Sequence, residues 1–395
     1  MRSSSCGGMF ANVLVLLPAA VLTFVQGYSY TYNPVTAPVT PGSCRKQLLR
    51  APLSASPSGN NGRTLPGNLL EQLRQHTTIW ADTADAASVE RLGRIGIEDV
   101  TTNPSIVSAT ALRDADAAGT LLAKAIEQGG GSALETHERI AVDLGCRLLD
   151  MVPGSRVCTQ VDIRCTDSEE IVTKARNIVE AYTQAGVARE RVLIKTPATW
   201  AGIRATERLE RQGIKCLVTL VCSQVQGRAA AEAGASVIAT YVGRVSDWHK
   251  AAKGSTPMPA VASEDCGVLM TNELKNDFTN QGFTTEVMAA SFRSVEQVVA
   301  LAGCDHLTIA PGLIEEMVKL PPMDRLIGAT AAKSVSSDRG KAFQALEEQE
   351  FLASLGRDVC GTEVLRSSVE GFAKDTYALE SGIAASLESF RRQQQ

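Results

Sequence analysis

The chain has 395 residues, of which 44% are apolar and 21% charged, a balance that supports a large globular core in one large domain or two ordinary ones. Its formal net charge of −4 provides no chain-wide basic footprint. Electrostatic recognition of nucleic acid or of an anionic membrane is thereby excluded as the main activity, although local positive charge can still build a site.

The first 70 residues contain no Asp or Glu. Arg2 precedes an apolar run from Val13 to Val25 that is broken by Pro18 and is too short for the roughly 20 residues a spanning helix needs. A basic start, a short apolar core and Gln26-Gly27 after it read as a secretory signal over residues 1–27. Residues 28–64 are rich in Ser, Pro and basic residues and resemble a disordered transit peptide. In series, the two imply a bipartite leader that routes a protein through the secretory system into a plastid; a secreted protein with a propeptide, or a cytoplasmic one, is the alternative. The body is then residues 65–395. Eight of the ten cysteines lie in it, without a CxxC pair and largely in apolar segments, so the body reads as reduced rather than disulfide-stapled.

Along the body, strand-like and helix-like stretches alternate. The strand candidates are residues 77–83, 99–105, 156–163, 191–197, 215–221, 236–243, 286–292 and 306–311, mostly rich in Val, Ile, Leu and Thr, with polar residues gathering at their C-terminal ends. Amphipathic helices fill gaps between them, at residues 171–186, 202–213, 223–234 and 294–303, and each of these closes on a glycine suited to the C′ position. This rhythm predicts parallel βαβ units, and eight of them predict an α/β fold of the closed (β/α)8 TIM-barrel kind. An open doubly wound sheet would want a Gly-rich phosphate turn after its first strand. Gly129-Gly130-Gly131 lacks the frame for one and reads as a plain turn. From Phe351 onward the pattern is helical; these additional C-terminal helices either cap the barrel or join two subunits in a homodimer.

Catalytic groups of such a barrel come from the C-terminal ends of its strands. In order, these ends carry Asp82, Asn103, Gln160, Lys195, Thr219, Tyr241, Ser291 with Arg293, and Thr308. Lys195 stands out because it follows Val192, Leu193 and Ile194, which places the stem of a cation inside the barrel. An exposed lysine titrates near 10.4, leaving about 0.1% neutral amine at neutral pH. Burial and a neighbouring cation raise that fraction and create a nucleophile for a ketone; the other reading of an apolar-flanked lysine is a salt-bridged barrel residue.

The segments WADTADAASVERLGRIGIEDVTTNPSIV (80–107), VLIKTPATWAGIRATERLERQGIKC (192–216), AEAGASVIATYVGRVSDWHK (231–250) and AASFRSVEQVVALAGCDHLTIAP (289–311) resemble the transaldolase family over essentially the whole body. The resemblance implies that Lys195 forms a Schiff base with a ketose phosphate and that Asp82 moves protons at the sugar hydroxyl. It implies further that Asn103 and Thr219 surround the dihydroxyacetone moiety, and that Arg244, Ser291 and Arg293 hold the phosphate. The activity so implied is transfer of a dihydroxyacetone unit between sugar phosphates, in the pentose phosphate pathway, without cofactor or metal. The histidines at 76, 137, 249 and 306 show no ligand spacing, in keeping with that.

Four positions depart from the transaldolase pattern. The family's Glu at the third strand end is Gln160, the Asn preceding the fifth-strand Thr is Leu217, and the sixth-strand Ser and Phe are Ala239 and Tyr241. This set is similar to that of fructose-6-phosphate aldolase, a shorter relative in which a Tyr and a water do the proton work of the Glu. An aldolase releasing free dihydroxyacetone is therefore the second expectation, and a non-catalytic sugar-phosphate-binding barrel the third.

Overall fold

The computed structural model describes residues 66–97, 99–113, 135–152, 154–253, 261–324, 326 and 346–393. The signal-like and transit-like segments and the Gly129–Gly131 turn lie outside the described residues.

Eight strands form the barrel: β1 (Thr78–Asp82), β2 (Asp99–Thr101), β3 (Val157–Gln160), β4 (Val192–Pro197), β5 (Cys216–Val221), β6 (Val237–Tyr241), β7 (Glu286–Ala290) and β8 (His306–Ile309). Each pairs in parallel with its neighbour in chain order, and β1 also pairs with β8, which closes the sheet. Every strand candidate read from the sequence is present. Six of the eight end earlier than expected, by one to four residues. Strand β2 stops at Thr101, because Pro104 opens a helix and Asn103 caps it, its Oδ1 accepting from the Ile106 N–H at 3.0 Å. Strand β6 stops at Tyr241, with Val242 already helical.

The helices in chain order are α1 (Leu69–Leu73), α2 (Ala86–Arg94), α3 (Pro104–Arg113), α4 (Thr136–Met151), α5 (Ser168–Gln184), α6 (Trp200–Arg211), α7 (Gln224–Glu232), α8 (Val242–Lys253), α9 (Cys266–Gln281), α10 (Val295–Ala300), α11 (Pro311–Lys319), α12 (Glu348–Arg357) and α13 (Val359–Gln393). Starts are set by caps: the side chains of Asp167, Thr199, Ser223 and Ser294 each accept from an N–H in the first turn. Stops at Gly186 and Gly234 use left-handed φ of 81° and 76°, as the glycine-closed helix patterns required. The apolar stripe of α5 (Ile171, Ala175, Ile178, Tyr182) packs on Val157, Val192 and Ile194 of the sheet. Each such large side chain, taken fully out of water, contributes roughly 1.5–3 kcal/mol. No described helix is long and apolar enough to cross a membrane.

Trp80 is completely buried and donates through Nε1 to His306 Nδ1 at 3.1 Å, while Trp200 packs against Phe351 of α12. Both are packing residues. All eight cysteines among the described residues are free.

The C-terminal helices cap their own barrel. Along α13, Gly361 lies so close to Ser223 that an added Cβ would meet the serine Cβ at 2.8 Å. Glu363 accepts from Trp248 Nε1 at 2.6 Å, Asp375 accepts from the Ser105 hydroxyl, and Glu380 takes two guanidinium bonds from Arg164. Leu379 and Ile383 complete an apolar cluster with Val107, Ala111 and Ile140. The partners on the barrel side follow the C-terminal ends of β2, β3, β5 and β6, so α13 crosses the catalytic mouth of the fold.

Candidate active site

Lys195 is only 4% exposed, on a strand whose six residues are all buried. A buried amine needs a partner, and Lys195 Nζ finds the backbone oxygen of Thr102 at 2.7 Å. Asp82 ends β1. Its Oδ1 accepts from Thr101 Oγ1 at 2.9 Å, and Thr101 is in turn 2.6 Å from Thr308 Oγ1. Burial pushes the Asp82 carboxyl above the ordinary carboxylate range, with Lys195, the Thr101 hydroxyl and Arg244 pulling the other way without cancelling it. A carboxyl raised in this way accepts protons more readily near neutrality.

Across the mouth, Tyr241 OH lies 3.1 Å from Thr219 Oγ1. Burial pushes the phenol up to about 12, so it stays protonated and able to donate at any physiological pH. Thr219 is placed by an irregular strand end: the β5–β6 register shifts between Val218 and Val221, and Leu220 takes a left-handed φ of 65°. Strain of this kind in a non-glycine residue persists only where the surroundings enforce it. The Arg244 guanidinium lies between two rings, 5.2 Å from the Tyr241 centroid and 5.1 Å from that of Phe372.

Arg244 belongs to the first turn of α8, and β7 delivers Ser291 and Arg293 beside it. Ser291 also takes a left-handed φ, 66°, which points its carbonyl at Gly243 N at 3.0 Å and Arg293 Nη1 at 2.9 Å. Only glycine fits at 243, since a Cβ there would sit 2.1 Å from that carbonyl oxygen. Two guanidinium groups near a helix N-terminus supply the kind of positive charge that a phosphate dianion needs. Arg293 is held there by Asp247, one turn further along α8, whose Oδ2 takes Nε at 2.9 Å and Nη2 at 2.8 Å.

The β3 side of the mouth is different. Gln160 pairs in register with Lys195, is 9% exposed, and neither its amide oxygen nor its nitrogen has a hydrogen-bond partner among the described residues. It opens on a cavity lined also by Thr102, Asn103, His137, Glu138 and Asp162. Asn103 reaches this cavity while its carbonyl is committed to capping α3.

The fold thus brings all nine residues singled out from the sequence (Asp82, Asn103, Gln160, Lys195, Thr219, Tyr241, Arg244, Ser291 and Arg293) to one barrel end. Sequence reasoning missed the Thr102 carbonyl, Thr101, Asp247 and the His137 cavity. Asp247 had a signal, since it lies in the 231–250 segment that carries the family resemblance; the others had none. One three-donor cluster capable of holding a cation exists among the described residues, Glu135, His137 and Glu380. Both carboxylates already face cations, with Lys174 Nζ 2.9 Å from Glu135 and Arg164 Nη2 2.7 Å from Glu380.

The family model described as Transaldolase/Fructose-6-phosphate aldolase matches residues 79–383. A protein named Transaldolase from Vibrio cholerae serotype O1 (strain M66-2) is 40% identical over 327 residues, which is 81% of this chain and 99% of that relative. Transaldolases from Aliivibrio fischeri (strain MJ11) and Agrobacterium fabrum (strain C58) are 39% and 40% identical over 325 residues, covering 80% of this chain and 99% and 97% of their own length. With its closed barrel, its lysine at the mouth and a match that runs the length of these relatives, the chain belongs to the transaldolase/fructose-6-phosphate aldolase family.

Proposed function

We propose that this protein is a transaldolase that moves a dihydroxyacetone unit from a ketose phosphate to an aldose phosphate through a Schiff base on Lys195. The observation that carries this reading is the position of Lys195, buried at the mouth with Asp82 on one side and the Arg244–Arg293 pair within the same barrel end. The phosphate, held by Arg244, Arg293 and Ser291, fixes the sugar with its carbonyl at Lys195. The amine adds to C2, water leaves, and the protonated imine draws electrons from C3. Asp82 takes the C4 hydroxyl proton, the C3–C4 bond breaks, and the aldehyde departs. The three-carbon enamine stays on Lys195 and attacks the incoming aldehyde by the same steps reversed.

A second reading is favoured by the Tyr241–Thr219 pair and by Gln160 in place of an acid: the enamine is protonated at carbon, the imine so formed is opened by water, and free dihydroxyacetone is released. The residues from about Leu65 onward, incubated with fructose 6-phosphate, separate the two. Glyceraldehyde 3-phosphate formed only when erythrose 4-phosphate is present supports the transferase; formation without it supports the aldolase.

The acid-free leader and a family match that begins at residue 79 support a plastid address for the body. Fusion of residues 1–64 to a fluorescent reporter tests it, and reporter secreted or left in the cytoplasm would refute it.

A further inference from the structure

Among the described residues, two that are not glycine take a left-handed φ, Leu220 at 65° and Ser291 at 66°. Leu220 directly follows Thr219, and Ser291 stands just before Arg293. The chain around them repeats, as LVCSQVQ over residues 220–226 and SFRSVEQ over residues 291–297. In each stretch a serine, Ser223 or Ser294, caps the next helix. The glutamine at the third position of that helix is buried in both, Gln226 with no exposure and Gln297 with 6%.

In an ordinary capping box such a glutamine returns to the N–H of the cap itself. Here both reach one residue further back. Gln226 Oε1 accepts from the Cys222 N–H at 2.9 Å, and Gln297 Oε1 accepts from the Arg293 N–H at 2.8 Å. Their amide nitrogens then serve different neighbours. Gln226 Nε2 donates to Ala198 O at 2.9 Å and to Leu220 O at 3.4 Å, and the Ala198 N–H donates to Thr219 O at 2.8 Å. Thr219 is thereby held through the residue after it and through the end of β4. Gln297 Nε2 donates to Ser246 Oγ at 3.1 Å and to Asp265 Oδ2 at 3.3 Å. Ser246 in turn donates toward Val242 O at 2.8 Å and Asp265 Oδ1 at 2.6 Å. This buried group ties the backbone of Arg293 to α8, the helix that carries Arg244. A left-handed non-glycine residue persists only where its surroundings enforce it, and a buried amide bonded at both ends supplies that enforcement.

We propose that Gln226 and Gln297 are positioning residues of the site, the first fixing Thr219 against Tyr241 and the second fixing Arg293 beside Arg244. These roles rest on the function proposed above, which gives the dihydroxyacetone unit and the phosphate to the residues so held. Both amides are spent on the protein itself, so they act through the backbone they grip. Without Gln226, Leu220 relaxes from its left-handed φ and the Thr219 hydroxyl leaves the phenol now 3.1 Å away. Without Gln297, the Arg293 backbone loses its link to α8 and the spacing of the two guanidinium groups opens. A displacement of about 1 Å at a reacting centre costs about 100-fold in rate.

The test is glyceraldehyde 3-phosphate formation from fructose 6-phosphate with erythrose 4-phosphate present, which transferase and aldolase both give. Rates are expressed per Lys195 trapped by borohydride, so loss of folded protein does not enter. Gln226→Met and Gln297→Met should each lower kcat/KM about 10- to 100-fold, Gln297→Met mainly through KM. Gln226→Met added to Thr219→Ala, and Gln297→Met added to Arg293→Ala, should cost less than about twofold more, because nothing is left to position. Ser294→Ala removes only the neighbouring cap; it should lower the thermal midpoint and leave KM within about twofold of wild type. Gln226→Glu and Gln297→Glu keep the side-chain volume and the backward acceptor, and carry the same comparison if a Met variant fails to fold. Single variants within about twofold of wild type, losses that multiply in either double variant, or a Ser294→Ala KM as high as that of Gln297→Met would overturn these roles while the Lys195 chemistry stands. Absence of any borohydride adduct in wild type would overturn the proposed function, and these roles with it.

Discussion

Lys195 Nζ donates to the main-chain oxygen of Thr102 at 2.7 Å, reaching from β4 past the end of β3 to the segment that follows β2. The contact holds the amine at the junction of three features: the Asp82 hydrogen-bond chain, the Tyr241–Thr219 pair and the Gln160 cavity. Because the partner is a carbonyl rather than a carboxylate, the amine can leave it for a substrate without stranding a buried anion.

Lys195→Met should abolish turnover, by at least about 1000-fold, since the covalent route is lost. Borohydride with fructose 6-phosphate should add a sugar mass to wild type and none to the variant. The fold should survive, because a methionine fills nearly the same volume in a strand buried on both sides.

Asp82→Asn should lower kcat by about 100- to 10,000-fold, the range of a general base. It should also stabilise the protein at neutral pH. Burial raises the folded-state carboxyl, so the stability linked to its protonated form is complete below the unfolded value near 3.9 and is lost as pH rises through the folded value. The variant's gain in thermal midpoint should therefore widen from pH 4 to pH 8, and midpoints measured across that range check the sign.

Tyr241→Phe removes the phenol while keeping the ring that Arg244 covers. Release of free dihydroxyacetone should fall more than about 10-fold, and transfer to erythrose 4-phosphate should fall less, because only release needs a proton delivered to the enamine carbon. With the phenol held up at about 12, no wild-type inflection below pH 10 should belong to Tyr241. Product ratios and the alkaline arm of the rate profile test both statements.

Arg293→Ala should raise KM for phosphorylated substrates about 10- to 100-fold with a smaller change in kcat, since the phosphate contact is made in ground and transition states alike. Initial rates with fructose 6-phosphate give the split directly.

Arg164→Ala should cost roughly 3 kcal/mol at neutral pH, because it leaves Asp162 buried without its chelating partner and frees Glu380 of α13. Burial alone would raise Asp162, but the Arg164 bonds and charge outweigh it and hold the carboxyl below its usual value. Stability from that lowering is present above the unfolded value and disappears as pH falls through the folded one. Denaturation curves of variant and wild type should accordingly converge as pH falls below the ordinary carboxylate range.

The order of the strands was legible because it is local. Strands buried on both faces read as short apolar runs, and helices between them read as stripes that end on glycine. Each strand's last polar residue then points at the site, which is how Lys195, Asp82 and Tyr241 stand out along the chain. Asn103 was legible as a residue but not as a cap, since its position depends on where Pro104 starts a helix. By contrast, the partners that define the site chemically lie far away in sequence. The Thr102 carbonyl is 93 residues from Lys195, and Glu380 is 216 residues from Arg164. A backbone oxygen carries no sequence signature at all, and His137 looked like any helical histidine. The sequence by itself determined the barrel and the residue types at its mouth. Only the closed tertiary structure decided which of them are paired, which stay protonated, and which two are left facing a shared cavity, because burial and hydrogen bonding between distant segments set those states.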